Sequence, residues 1–164
     1  MKVIKEFIPY LVIILIVVLI RCFVVTPVRV SGTSMYPTLK NNDIVLLKKF
    51  DKNIERFDIV VFNYNNSKLI KRVIGLPGET VKYVNGILYI NNKKIDDVKL
   101  DVSTDNFFLE ELGYDVIPDD YYFVLGDNRG VSQDSRIIGL IYKKDICGVG
   151  VFRLFPLNKI GVVK

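Results

Sequence analysis

The chain contains no histidine. That absence excludes a Ser-His-Asp triad, a Cys-His pair and the His-based zinc sites. A serine nucleophile here must find its base in a lysine, a carboxylate or a tyrosine. Cysteine is scarce too: Cys22 and Cys147 are the only two, far apart and in different contexts. A disulfide framework is excluded by number, and both read as free packing thiols. The net charge is +5 over 164 residues, yet no run of Lys and Arg is long enough to be a nucleic-acid arm. The scattered basic residues suit a mild attraction to an anionic phospholipid membrane and no nucleic-acid partner. Repeats and low-complexity tracts are missing. Half of the residues are apolar, enough for one modest core plus something extra.

The extra part lies at the amino terminus. Phe7 to Ile20 is unbroken by charge, and Cys22 to Val25 continues the run past Arg21. Counted through Val25, it is long enough to span the roughly 30 Å of hydrocarbon in a bilayer. Pro9 falls in the first turn of that segment, where a missing N–H costs little, and Arg21 can snorkel to the interface. Lys2 and Lys5 precede the run and place the amino terminus in the cytoplasm by the positive-inside rule. No small-x-small site follows, since the run ends Phe23-Val24-Val25-Thr26-Pro27-Val28-Arg29. The sequence thus predicts an uncleaved anchor and not a removable leader. A soluble core helix is the plainer alternative, disfavoured by the density of Ile, Leu and Val. The expected division is a short cytoplasmic amino terminus (1–6), a single transmembrane anchor (7–25) and an extracytoplasmic β-rich domain (26–164) on the outer face of the cell membrane.

The stretch Ser31-Gly32-Thr33-Ser34-Met35-Tyr36-Pro37-Thr38-Leu39 follows. Gly32 permits backbone conformations closed to other residues, and Pro37 fixes φ, so Ser34 sits on a short, stiff, irregular segment. A nucleophilic hydroxyl needs such a presentation, with its own N–H turned to receive an oxyanion. Ser and Thr beside Gly and Pro are also ordinary turn residues.

Beyond Leu39 the text is mostly β. Asp43–Leu47, Asp58–Phe62, Leu69–Leu76, Thr80–Val84, Ile87–Ile90, Tyr121–Leu125 and Ile146–Leu154 read as strands. Asn85-Gly86 is a hairpin signal, and Asn91-Asn92 a second tight turn. Asp96 to Asp120 reads as an acidic surface excursion with a helical turn near Phe107–Leu112; its carboxylates do not have the spacing of a calcium loop. Gly126 to Arg136 is too polar for core and too rich in Gly, Asn and Asp for regular structure. The whole is predicted to be mainly β: one mostly antiparallel domain on one anchor.

With histidine absent, Lys71 is the leading base candidate. Strand alternation puts it on one face with Leu69 and Val73, and Arg72 on the other with Ile70 and Ile74. Burial among apolar neighbours would lower its pKa, and about three units, or roughly 4 kcal/mol, separate an ordinary lysine from a base poised near neutrality. An edge-strand or snorkelling lysine is the alternative from the strand alone.

Three boxes now stand in order. Ser31–Leu39 resembles the nucleophile box of type I signal peptidases. Lys71-Arg72-Val73-Ile74-Gly75-Leu76-Pro77-Gly78-Glu79 resembles their lysine box, and Gly126-Asp127-Asn128-Arg129 with Ser132, Asp134, Ser135 and Arg136 resembles their third signature. The resemblance covers nearly the whole chain. It implies a membrane-bound serine endopeptidase with a catalytic domain of signal-peptidase type, using no cofactor and no metal, that removes signal peptides from exported precursors after a small-x-small motif. Ser34 matches the nucleophile and Lys71 the general base. Ser132 matches a serine that orients the lysine amine, and Asp134 and Arg136 match an ion pair behind the site. The backbone N–H of Ser34 would hold the oxyanion. Gly32 stands where some relatives carry a helping serine. Lysine as base points to the bacterial type. Phe57 and Asn42 replace glycines usual in the family, which bears on local turn geometry. The short excursion suggests the compact form. Other readings are a self-cleaving Ser-Lys domain like those of SOS repressors, a tethered peptide-binding module without catalysis, and an anchored scaffold protein.

Overall fold

Helix α1 runs from Lys2 to Phe23, so Pro9 lies inside it and not in its first turn. In this computed structural model the described residues are 2–23, 25–49, 53–98, 100 and 102–163, with the side chains of 2–6, 18–23 and 151 left aside. Cys22 is among those side chains. The apolar side chains of Phe7, Ile8 and Tyr10 through Val17 are exposed on every face of the helix, so none of them is spent on the core of the domain. Among the described residues no helix is long and apolar enough to cross a membrane. The expected end of the anchor at Val25 needs correcting, because Val25 opens the first strand. An apolar run and an edge strand merge in the sequence, and nothing but Thr26-Pro27 marks the change.

The domain is built from β1 (Val25–Arg29), β2 (Ile44–Lys48), β3 (Ile59–Tyr64), β4 (Ser67–Gly75), β5 (Val81–Val84) and β6 (Ile87–Ile90). It continues with β7 (Lys93–Ile95), β8 (Phe107–Phe108), β9 (Tyr121–Leu125), the short helix α2 (Ser135–Ile138), β10 (Ile141–Tyr142), β11 (Ile146–Phe155) and β12 (Gly161–Val162). The larger sheet has the order β1-β2-β11-β3-β4-β9-β10, with β12 on β11, and the smaller has the order β7-β6-β5-β8. Every described pairing is antiparallel. Residue pairs in the left-handed region make the tight hairpins: Asn65-Asn66 (φ 44° and 61°), Asn85-Gly86 (51° and 77°) and Asn91-Asn92 (50° and 62°). Such turns match the twist of antiparallel strands, and Asn and Gly tolerate them best.

Alternation on β3 and β4 divides the core. Ile59, Val61 and Ile70 join Val30, Met35, Leu39, Val45 and Leu47 in one cluster. Val60, Phe62 and Val73 join Tyr122, Val124, Ile141 and Val149 in another, with Leu69 packed against it. A third cluster lies between the sheets around Ile74, Tyr83, Leu88, Phe107, Leu109, Ile117 and Phe123. Phe107, Leu109 and Ile117 come from the expected surface excursion, which is therefore corrected: it delivers core side chains and an edge strand. Phe107-Phe108 pairs with β5, and the helical turn is a 3-10 turn confined to Leu109–Leu112.

Asn42 and Phe57, the two departures from glycine, both have φ of 71°. Asparagine enters this region readily, whereas a phenylalanine there costs roughly 1–2 kcal/mol. The turn is kept because the Phe57 N–H donates to the Val73 carbonyl at 2.8 Å and its own carbonyl accepts from Arg72 Nη1 at 2.8 Å. Phe57→Gly is expected to be more stable than Phe57→Ala by about 1 kcal/mol, since both lose the ring and only glycine relieves the backbone. Coincident urea midpoints for the two variants would show that the backbone there is unstrained.

Candidate active site

Ser34 is presented by a chain segment that has no regular structure but is pinned at both ends. Gly32, at φ 90°, donates its N–H to Asn41 Oδ1 at 3.0 Å. Met35 and Leu39 are 1% and 0% exposed and anchor the segment in the core. The Tyr36 N–H donates to the Thr33 carbonyl and the Leu39 N–H to the Met35 carbonyl, which tightens the turn around Ser34. The Ser34 carbonyl accepts the Asn128 N–H at 2.9 Å, and Asn128 Nδ2 donates to the Thr33 carbonyl at 3.3 Å. Among the described residues nothing accepts from the N–H of Ser34. An anion beside Ser34 would therefore find that donor unused.

Lys71 reaches Ser34 from β4. Lys71 Nζ and Ser34 Oγ are 2.7 Å apart, within the range for direct proton transfer. Lys71 is 2% exposed. Burial pushes its amine below the ordinary lysine range, and the carboxylates of Asp134 and, less strongly, Asp127 oppose that shift. A neutral amine beside a serine hydroxyl is a base beside an acid, which is what nucleophilic activation requires.

The polar run after β9 closes the back of the site. Asp134 is fully buried, holds Arg136 through Nε and Nη2 at 2.9 Å each, and accepts the Gly126 N–H at 3.0 Å. Arg136 also donates to the Arg129 carbonyl at 2.7 Å. A methyl group on Gly126 would collide with Ser132 Oγ and with the Ser34 carbonyl, so this residue must be glycine for the run to lie against the nucleophile. Ser132 is brought to that junction. Its hydroxyl is buried and has no hydrogen-bond partner, so no bond joins it to Lys71.

Other groups that hold the site had no role assigned from the sequence. Arg72, 1% exposed, grips Asp127 through Nε at 2.8 Å and Nη2 at 2.7 Å. It thereby ties the strand of the base to the run that holds the nucleophile. Arg129 donates to the Gly126 carbonyl and reaches Tyr83, Asp97 and Thr104, which joins the same run to the smaller sheet. A charged residue facing Ile70 and Ile74 was the available signal for Arg72. Nothing near Arg129 distinguished it from a turn residue. Cys147 is a free, half-buried thiol beside Asn63, away from this chemistry. Among the described residues no group of three or more acidic or cysteine side chains is arranged to hold a metal ion.

A narrow cleft of about 90 Å³ opens beside the Ser34–Lys71 pair, with Val28, Val30, Val61, Leu69 and Ile70 in its walls. Val61 borders it, whereas Ile59, in the same core cluster, is not among the lining residues. Its walls belong to two strand edges. Among the described residues β1 ends its sheet beside β2, and the strand pairing of β4 with β9 begins at Arg72.

Comparison with known proteins gives the family. Residues 3–155 match the family model described as "Signal peptidase, peptidase S26". The chain is 43% identical over 152 residues to signal peptidase I S of Bacillus subtilis strain 168, covering 86% of this chain and 83% of the relative. It is 40% identical over 155 residues to signal peptidase IB of Staphylococcus aureus strain Mu50, covering 84% and 81%. The crystal structure of a signal peptidase I from Enterococcus faecalis V583 superposes with a TM-score of 0.55 at 39% identity, covering 60% of this chain and 97% of that one. The chain belongs to the type I signal peptidases, a family of serine peptidases.

Proposed function

We propose that the chain cuts signal peptides from exported precursors after a small-x-small motif, with Ser34 as nucleophile and Lys71 as general base. The observation that carries this reading is the 2.7 Å contact between a buried lysine amine and a serine hydroxyl at the mouth of an apolar cleft. Neutral Lys71 takes the Ser34 proton as Oγ attacks the scissile carbonyl. The backbone N–H of Ser34 receives the oxyanion, without side-chain help from Gly32. Protonated Lys71 then gives its proton to the leaving amine, and a water activated by the neutral amine releases the acyl chain. Ser132, with a buried hydroxyl lacking a partner, takes up the amine as Lys71 lets go of Ser34. Asp134 and Arg136 fix the run behind them.

The substrate would enter as an extended strand between the open edges of β1 and β4, a form of strand addition. The narrow apolar floor suits small side chains at the first and third residues before the cut. Helix α1 would be the anchor, on the strength of the apolar side chains from Phe7 to Val17 that it exposes on every face. The exposed Leu154, Phe155, Leu157, Ile160 and Val162 offer the domain a further apolar contact with lipid. The amino terminus would be cytoplasmic and the domain outside.

The test is the initial rate of cleavage of a secretory precursor by the full chain in detergent, wild type against Ser34→Ala. Cleavage at the small-x-small site that vanishes in the variant is expected. A wild type that binds the precursor without cutting it would favour a peptide-binding module instead.

A further inference from the structure

Two cations are among the residues that line the cleft beside Ser34. Arg29, at the end of β1, and Lys68, near the start of β4, both line it, and both side chains are exposed. Among the described residues neither forms an ion pair. Asp145 borders the neighbouring groove with Lys68 but is not within ion-pair distance. The catalytic chemistry uses neither cation, and the apolar floor between them and Ser34 gives them no partner.

We propose that Lys68 and Arg29 are specificity-determining residues: a basic rim that favours precursors with an acidic side chain about four residues before the cut. The proposal rests on the reading that this cleft seats the residues preceding the scissile bond. From Lys71 to Lys68 β4 advances about 10 Å, and an extended substrate advances equally per residue. Counting back from the carbonyl at Ser34, the substrate's fourth residue comes level with Lys68. Side chains of an extended chain alternate, so the first and third meet the floor of Val28, Val30, Val61 and Ile70. The fourth points off the floor, toward the rim. Arg29 alternates with Val28 and Val30 and so points off the floor as well, and Lys68, one step beyond Ile70 at the floor's end, has a flexible stem long enough to reach the same level. Exposed charge contacts are individually weak and screened by salt, so the discrimination is modest and salt-sensitive.

The experiment uses the full chain in a neutral detergent and three peptides alike except for Asp, Asn or Lys at the fourth residue before the cut. The expected order of kcat/KM is Asp over Asn over Lys, spanning about 3–10-fold at low ionic strength and collapsing in high salt. Lys68→Glu should reverse the order, and Arg29→Glu should flatten it. An order unchanged by either variant overturns the proposal, as does a wild type indifferent to the charge. A fourth peptide with Phe directly before the cut separates the two layers. If it is cut as fast as the parent, the reading of the cleft falls and the rim with it. If it is refused while charge still makes no difference, the rim alone falls. Phosphatidylglycerol vesicles supply the remaining arm, since a lipid phosphate offers the same anionic chemistry. Variants that change only the stimulation by vesicles, and not the peptide order in detergent, assign the cations to lipid and overturn the proposal.

Discussion

Lys71→Met is expected to lower cleavage by roughly 10²–10⁴-fold, the range for loss of a positioned general base, and at the same time to make the folded protein more stable. Both effects have one cause. Lys71 is 2% exposed, and burial holds its amine below the ordinary value of about 10.4, with Asp134 and Asp127 opposing the shift. Between the lowered folded value and the ordinary unfolded one, the unfolded chain binds more protons than the native state. Stability therefore rises with pH across that window. The cost of burying the amine is felt in full below the folded value and is gone above the unfolded one. Methionine of similar length removes it, so the gain in melting temperature should be largest at low pH and fade toward alkaline pH. Activity in the wild type should rise as Lys71 loses its proton, and Asp134→Asn should move that rise to lower pH by removing the carboxylate that favours the charged amine. A variant as active as wild type would mean that another group deprotonates Ser34. A gain in stability that does not vary with pH would mean that the lysine is not the titrating group.

The second large effect is expected at Asp127. Removing it in Asp127→Ala leaves the Arg72 guanidinium 1% exposed without its carboxylate, with only the Phe57 carbonyl and a 3.4 Å contact to Thr38 Oγ1 remaining. Breaking one side of such a buried pair costs about 3–5 kcal/mol. Replacing both partners in Arg72→Met/Asp127→Leu should cost much less, because no charge is stranded. Urea unfolding of the two single variants and the double variant measures the coupling directly. Costs that simply add would show that each residue acts through its other contacts. The activity of the folded fraction should fall in Asp127→Ala as well, since Asn128, the next residue, holds the Ser34 carbonyl.

What could be read before the structure depended on how locally each feature is encoded. The Asn85-Gly86 hairpin and strand β9 fall where turn chemistry and alternation put them, because both signals are complete within a few residues. Strand β1 was hidden because its apolar residues extend those of α1. The segment from Asp96 to Asp120 looked like surface because Phe107, Leu109 and Ile117 are separated by polar residues. Only the pairing with β5 and the closing of the second sheet show that all three reach one core. In the site, Ser34 and Lys71 lie 37 residues apart in sequence, and Arg72 and Asp127 lie 55 apart. Alternation on β4 assigned a face to each residue and could not name a partner on another element. The three boxes made the first pair legible through resemblance. The second pair needed coordinates.

The strand edges that flank the cleft, at Val28–Arg29 and Lys68–Lys71, would have a consequence for when the enzyme can act. An open edge will accept one extended chain and cannot accept a helix or a formed hairpin, whose own backbone groups are already bonded. If the substrate enters as proposed, the gap between β1 and β4 would inspect the backbone before any side chain. A small-x-small sequence locked inside a folded mature domain, or still wound into a membrane helix, has no free N–H and C=O groups to offer. The same sequence just emerging, not yet committed to structure, does. On the proposed binding mode, selectivity would be temporal: the site would admit a precursor in the interval between translocation and folding, and would refuse the many identical tripeptides in proteins that have finished folding.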